Sequence, residues 1–489
     1  MLDQTVSELV KLKRKLYIEL VSLARQNKLQ DAEKLIYKLI RDDTPRYRCC
    51  QYKERAILKE RIKLALGFDI EDDTPISQLA EIVDQIPLDE NVINVLNLAC
   101  DSCPIDKYIV TDTCRNCAAH RCLNACPKDA IYIISNKAYI DQEKCIECSR
   151  CKDVCPFGAI NENIRPCVKA CATGAISSDS NRQATIDKDF CVNCGHCIRG
   201  CPFGAIGDKN RIIQVTNSLL DHNQKTVALL APSFPGQFGY NIDSAIIKTA
   251  LKIMGFDQVI EVAEGAEKVM KEEAREILEL KETDASLMTS SCCPAFTELI
   301  TKSHPEFSKN ISSLTSPMEV SAASIKRQSP EAKTVFIGPC LAKKAEAVNH
   351  NSVDEVLTFE ELLCMMVAWE INLEKLNPLK EFNDSISDQA RSFPTSGAVA
   401  AAINSEIPES KKSQINFQVA AGLEECSEFL KKYKPGNKIS FLEGMGCQDG
   451  CIGGPGTVIN SKIAKKMLEK YINNKNNDNS KRVNPIAKF

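Results

Sequence analysis

Between Cys100 and Cys201 the chain carries sixteen of its twenty-five cysteines. One run reads C-x2-C-x4-C-x3-C-P (Cys114, Cys117, Cys122, Cys126), and the next reads C-x2-C-x2-C-x3-C-P (Cys145, Cys148, Cys151, Cys155). Thiolates are soft ligands that suit iron, and such short spacings let one loop wrap three corners of a cubane. Zinc is the competing metal, and two consecutive four-cysteine runs ending in Cys-Pro weigh against it. The stretch "CVNCGHCIRGCPFGAI" repeats the spacing with Cys191, Cys194, Cys197 and Cys201, whereas "NENIRPCVKACATGAI" before it keeps only Cys167 and Cys171. A separate group lies in three loops far downstream: Cys292 and Cys293 in "TSSCCPAF", Cys340 in "FIGPCLAKKAE", and Cys447 with Cys451 in "EGMGCQDGCIGGPG". Cys293, Cys340, Cys447 and Cys451 would make one more cubane site. The same loops also carry Cys292, Lys343, Met445 and several glycines, more than a plain electron-transfer cubane needs.

The elements that must position these residues differ along the chain. Residues 1–98 show helical periodicity in "VSELVKLKRKLYIELVSLA", "DAEKLIYKLI" and "KERAILKERIKLAL", broken at "RDDTPRYRCC" and "FDIEDDTP". The cysteine-dense stretch with its short "GAI" and "DAI" turns has little apolar material for a core without metal. A linker is expected near 208–225. Beyond it, short apolar strands ("TVALLA", "QVIEV", "TVFIG", "KISFLE") alternate with helical stretches ("DSAIIKTALKIM", "EEAREILEL", "FEELLCMMVAWEI"), the pattern of an α/β domain with largely parallel sheets. Loops at the carboxyl ends of such strands converge, so the four distant cysteines can meet. The tail at 473–489 is polar and expected to be disordered.

With 489 residues, several cores can be buried, and a formal net charge of -3 without a long basic block gives no sign of a nucleic-acid partner. The charged start and the lack of a run of about 18 apolar residues predict no membrane insertion and a cytoplasmic location. In a reducing compartment, cysteines spaced two and three apart read as metal ligands rather than disulfides.

The first two runs resemble a two-cluster bacterial ferredoxin, in which the fourth cysteine of each run ligates the other cluster. That resemblance implies one [4Fe-4S] cubane on Cys114, Cys117, Cys122 and Cys155 and another on Cys145, Cys148, Cys151 and Cys126. The crossed rule gives a third on Cys191, Cys194, Cys197 and Cys171. Cys167 and Cys201 then need two partners, which Cys100 and Cys103 of "ACDSCP" supply at the two-residue spacing that the damaged half has lost. Cys49 and Cys50 are the rival source, but adjacent cysteines span two corners of one cube poorly, so they read as buried thiols of the helical region. His120 and His196 lie inside these loops and could line a cluster, with a surface role the favoured expectation for both.

Together the three downstream loops and the cysteine-rich region resemble the [FeFe]-hydrogenases, from about Cys100 to Lys470. The family's signatures, T-S-C-C-P, P-C-x-x-K-K-x-E and E-x-M-x-C-x-x-G-C-x-x-G-G, are matched by "SCCPAF", "PCLAKKAE" and "EGMGCQDGCIGG". With the small helical N-terminal domain (1–98) that periodicity predicts, the resemblance implies a multidomain α+β fold: a ferredoxin-like two-[4Fe-4S] domain (99–160), a second ferredoxin-like Fe-S segment (161–212), a C-terminal α/β two-lobed hydrogenase domain (222–472) and the tail. It implies an H-cluster, a [4Fe-4S] unit held by Cys293, Cys340, Cys447 and Cys451, with Cys451 bridging to a diiron subsite carrying CO, cyanide and azadithiolate, besides four accessory [4Fe-4S] clusters. On this view the glycines of the third loop let the backbone approach a bulky cofactor. Lys343 would pair with one cyanide, Ser233 in "LAPSF" would lie near the other, and Met445 would pack against the bridging region. Gly338, Phe296, Met318 and Pro455 stand where the better-studied branch has Met, Trp, Gln and Gly, and none of them is a cluster ligand.

The implied activity is reversible conversion of H2 into two protons and two electrons. Cys292 matches the relay thiol, with Glu276, Ser312 and Glu273 as the onward route. Glu273 and Glu276, three apart, share one helical face. Leu280 stands where the outer pathway usually has an arginine. The implied partners are ferredoxin or a similar small electron carrier, H2 and protons, and maturation proteins for the diiron subsite. An H2 sensor and a non-catalytic iron-sulfur electron-transfer or assembly protein are the alternatives; retention of Cys292 speaks against the first, and retention of Cys292, Lys343 and Met445 against the second. Cys364 and Cys426 read as ordinary helix residues.

Overall fold

Apolar residues on one face of the helix Glu8–Arg25 bury Leu16, Tyr17, Leu20, Val21 and Ala24, and Ser7 caps its start by accepting a hydrogen bond from the Val10 amide. In the computed structural model, which describes residues 6–41, 47–101, 103–104, 106–179, 183–240, 242–280, 287–378, 386–436 and 438–474, this face does not close a separate domain. It continues into one apolar core with Ile212, Val215, the strand Thr226–Leu230 and the helix Phe359–Ala368. The tail at 475–489 lies outside the described residues.

The expected linker is also structured. Ile212–Leu220 is a helix whose Ile212, Ile213, Val215 and Leu219 are buried, with Gln214 donating to the carbonyls of Leu66 and Val83. Its apolar spacing is helical, and polar flanks hid it.

Two ferredoxin-like modules lie between. In the first, Tyr108–Val110 pairs antiparallel with Ile160–Glu162, and Ile131–Ile134 forms a hairpin with Lys137–Ile140. The second repeats this plan: Ile93–Val95 pairs with Ile206–Asp208, and Ile176–Ser178 with Ala184–Ile186. Its first strand therefore precedes Cys100, and the whole first module is inserted between that strand and the rest. Divisions at 98 and 160 cut through this arrangement, because local spacing does not reveal which strand pairs with which.

Downstream, two parallel sheets form the α/β region. One has the order Gln258–Glu261, Thr226–Leu230, Lys333–Gly338, Glu355–Thr358; the other has Leu287–Thr289, Ile439–Met445, Ile415–Ala421. The architecture is multidomain α+β. No helix among the described residues is long and apolar enough to cross a membrane.

A buried ion network ties the parts together. Lys344 bonds Asp208 of the second module (2.8 Å) and Glu361 (2.7 Å), while Lys13 and Arg14 reach Glu360 at 3.1 and 3.0 Å. Glu361 also completes a capping box with Thr358. Burial alone would raise the pKa of Asp208, but Lys344 and Lys13 outweigh it and hold it below the usual carboxylate range. Lys344→Met leaves two buried carboxylates without their cation, a loss of about 3–5 kcal/mol. Thermal unfolding of the anaerobically purified protein should shift clearly downward, and adding Asp208→Asn and Glu361→Gln should recover much of the shift. An unshifted midpoint for Lys344→Met would show the network to be dispensable.

Candidate functional site

In a parallel sheet every carboxyl end points to the same edge, so loops distant in sequence meet there. Residues 231–233, 292–294 and 339–340, together with Lys343, Met445 and Cys451, line one cavity, closed by Pro317, Met318, Phe393 and Pro394. Cys293, Cys340, Cys447 and Cys451 each lie close enough to others of the four for their charges to raise one another's pKa, after burial as the main cause. For Cys293 burial dominates, and the Gly446 amide opposes it by donating to its Sγ at 3.3 Å.

Lys343 is buried at the cavity wall. Its Nζ lies 2.6 Å from Glu346 Oε2 and donates to Ser316 Oγ (2.8 Å) and the Cys292 carbonyl (3.3 Å). Burial would lower its pKa, but Glu346 overcomes this and keeps it charged. Ser233 Oγ is buried on the same wall without a hydrogen-bond partner among the described residues. A hydroxyl in that state is costly unless a bound group accepts from it. Three soft thiolates on the cavity wall with Cys447 close beside them, a fixed cation and a buried hydroxyl fit a cluster that carries anionic ligands. Met445 is buried and lines the same space.

Three glycines of the third loop also allow close approach between protein loops. A Cβ on Gly450 (φ +73) would meet the Pro394 carbonyl at 2.5 Å, one on Gly454 the Pro339 carbonyl at 2.6 Å, and one on Gly456 the Thr358 side chain at 2.7 Å. They serve the packing of protein loops on one another. Phe296 likewise fills the space over Gly444, where a Cβ would lie 2.3 Å from the ring. Pro455 packs against Gly195, and Gly338 lies under the Phe336 ring.

The accessory cysteines form sets. Cys122 lies near Cys155 and Cys114, across the two halves of the first module; burial first and then these two charges raise its pKa. Cys151 is pushed up to about 11 mainly by burial, with Cys145 and Cys148 adding to it, and Cys126 and Cys145 pack in the same apolar cluster. Cys197 gathers Cys194, Cys191 and Cys171. Cys167 gathers Cys201, Cys103 and Cys100, so the upstream pair lies where the damaged half lacks ligands. Cys117 belongs by spacing to the first set. Each set is held by a repeated turn: Asp129, Gly158, Gly174 and Gly204 all adopt φ between 46° and 72°, and the amides of Ala130, Ala159 and Ala205 donate to Cys126, Cys155 and Cys201 at 3.3–3.4 Å. Such N–H···S bonds favour the thiolate.

Cys49 is exposed and Cys50 half-buried, their sulfurs 3.9 Å apart, so neither is the buried thiol expected. Cys364 and Cys426 are buried packing residues. His120 bonds Asn116 Oδ1 at 3.2 Å. His196, expected at the surface, instead reaches Cys447 Sγ from within the third set's loop. Glu443, whose oxygens accept from the Gly397 and Ala400 amides at 2.7 and 2.8 Å, anchors the third loop at a helix start; its place in the motif was the only sequence signal.

Behind Cys292 runs a file of acids and hydroxyls. Glu273 is fully buried, accepts from Ser291 Oγ and amide at 3.3 Å, and interacts with Ser312; burial pushes it up to about 7. Ser312 Oγ donates to Glu276 Oε2 at 2.7 Å, and Glu276 is partly exposed. The order from the cavity is therefore Cys292, Glu273, Ser312, Glu276, the reverse of the expected sequence of the two acids. Helical spacing gives the shared face but not which end points inward. Leu280 packs against the neighbouring core at the helix end.

Residues 224–455 match the family described as iron only hydrogenase large subunit, C-terminal domain; 138–161 match a 4Fe-4S binding domain and 165–205 a 4Fe-4S dicluster domain. The chain is an iron-only hydrogenase-like protein. This hydrogenase-like chain is 26% identical over 404 residues to iron hydrogenase 1 of Clostridium pasteurianum, covering 70% of the chain and 69% of that protein. It is 28% identical over 385 residues to the periplasmic [Fe] hydrogenase large subunit of Nitratidesulfovibrio vulgaris, covering 67% and 88%. A 53-residue stretch, 11% of the chain, is 40% identical to a ferredoxin of Alicyclobacillus acidocaldarius, 68% of which it covers.

Replacing both Cys100 and Cys103 by serine in the reconstituted protein should remove one cubane's worth of iron and sulfide. Unchanged iron and sulfide would place the fourth set elsewhere.

Proposed function

We propose that this chain is a hydrogenase that converts H2 reversibly into two protons and two electrons and exchanges the electrons with ferredoxin or a similar small carrier. The carrying observation is the convergence on one cavity of Cys293, Cys340 and Cys451 with Lys343, Ser233 and Met445, with Cys447 close beside these three cysteines, backed by the file from Cys292 to Glu276. An H-cluster bound there, with Cys451 joining the [4Fe-4S] unit to the diiron subsite, would supply an electrophilic iron and an amine base for splitting H2.

The protein's own residues do the rest. Lys343 holds positive charge against the cavity, and Ser233 offers a hydrogen bond. Cys292, its pKa raised first by burial and then by Glu273, stays a neutral thiol able to take and pass a proton. Glu273, near pKa 7, can exist in both protonation states at neutral pH, as a relay acid must. Ser312 bridges it to Glu276. Electrons would leave on another side, where Cys194 of the third set lies near both Cys340 and Cys447. The four accessory cubanes extend that route, and maturation proteins would deliver the diiron subsite.

Infrared spectroscopy of the anaerobically matured protein should show CO and cyanide bands; their absence overturns the proposal. Cys292→Ala should keep those bands and the iron content while H2 production and uptake, assayed with a fast artificial donor, fall by at least about 10²-fold. Glu273→Gln should act alike, since an amide cannot carry the proton onward. Turnover at the unmodified rate in either variant would mean that protons leave elsewhere. Cys451→Ser should lose the CO and cyanide bands more readily than the cubane resonance signal, and full bands would reject its bridging role.

A further inference from the structure

His196 occupies the gap between the third cysteine set and the cavity. It opens the short helix His196–Gly200, between Cys194 and Cys197, and its Nε2 lies 3.6 Å from Cys447 Sγ. The surrounding contacts hold it there. Arg199, one turn on, donates to the Gly453 carbonyl at 3.0 Å and to Thr457 Oγ1 at 3.1 Å, and Gly195 packs so closely that a Cβ would lie 2.5 Å from Leu341 and 3.1 Å from Pro455. The third set's loop is thereby clamped onto the two loops that carry Cys340 and Cys447.

We infer that His196 is a positioning residue for electron entry: its Nε2–H donates a hydrogen bond to the Cys447 thiolate and so bridges the third accessory cluster and the cavity cubane. The direction of the bond follows from valence. A cluster-bound thiolate has no proton and can only accept, so the contact is a hydrogen bond only in the tautomer with hydrogen on Nε2.

Two effects follow. A donor on a ligand sulfur draws charge from the cluster and stabilises its reduced form, raising its potential. The path from Cys197 through the adjoining His196 backbone and ring to Cys447 is continuous except for that one hydrogen bond. It gives electrons a bonded route between the two sets, beside the direct approach of Cys194 to Cys340 and Cys447.

The inference rests on the proposed function only for the purpose of the electrons; the hydrogen bond concerns the cubane. The test therefore uses the full chain reconstituted with iron and sulfide, without the diiron subsite. The cavity cubane's resonance signal is assigned by its loss in Cys340→Ser, and its midpoint potential is titrated in the parent, His196→Ala, His196→Gln and His120→Ala. His196→Ala should lower the cavity cubane's potential and weaken its magnetic coupling to the third cluster at unchanged iron content. His196→Gln, which keeps an N–H donor, should restore much of both, and His120→Ala should change neither. Equal potentials and coupling in the parent and His196→Ala overturn the inference. A matured parent without CO and cyanide bands overturns the proposed function instead, leaving the cubane result readable.

Discussion

A thiolate buried away from water is stable only where a metal or a set of hydrogen bonds shares its charge. Burial raises the pKa of Cys293, Cys340, Cys447 and Cys451, so without metal these side chains are protonated thiols. Metal loading must drive the protons off, and its free energy is spent partly on organising the loops. Much of the architecture can be traced to that constraint. Two parallel sheets are needed because strand ends can bring four distant cysteines to one place. A charged Lys343 is needed because an anionic group in a closed cavity requires a counter-charge, and Glu346 and Ser316 hold that cation in position.

The same constraint, met with fewer residues, shapes the ferredoxin-like modules. Their apolar clusters are small and include the cysteines themselves. At Asp129, Gly158 and Gly204 the left-handed residue aims the following amide at the sulfur, an arrangement glycine adopts without strain and aspartate tolerates at Asp129. The second module lost two cysteines from one half, yet the insertion of the first module leaves Cys100 and Cys103 beside Cys167 and Cys201. Topology, rather than spacing along the chain, restores the set.

This explains which features could be seen in the sequence. Cysteine runs, strand ends and the three loops were legible because each is a local pattern with a chemical reason for its spacing. The strand at Ile93–Val95 was not, because its partner lies at Ile206–Asp208, beyond an entire inserted module. The helix Ile212–Leu220 reads as a linker because its flanks are polar, and the N-terminal helices as a domain because periodicity shows that a face is buried but not against what. The inward order of Glu273 and Glu276 depends on the approach of Ser312, whose amide is fixed by the Thr289 carbonyl at 2.9 Å. Close approach at Gly450, Gly454 and Gly456 includes atoms of Pro394, Pro339 and Thr358, which local sequence cannot name.

Under the proposed function, electrons and protons must leave the cavity separately, and the fold gives them different neighbours. Cys340 and Cys447 face the accessory set through Cys194 and His196, whereas Cys292 faces the acidic file through Glu273. The two sides are not independent. The Lys343 ammonium donates to the Cys292 carbonyl and also feels the charge on Cys340, so it lies within reach of both. A change in the charge of the cubane is therefore felt at the residue that shapes the proton-relay loop, over a short distance in a poorly screened site. Reduction on one side would favour holding a proton on the other, which is the coupling that a reaction moving both particles requires.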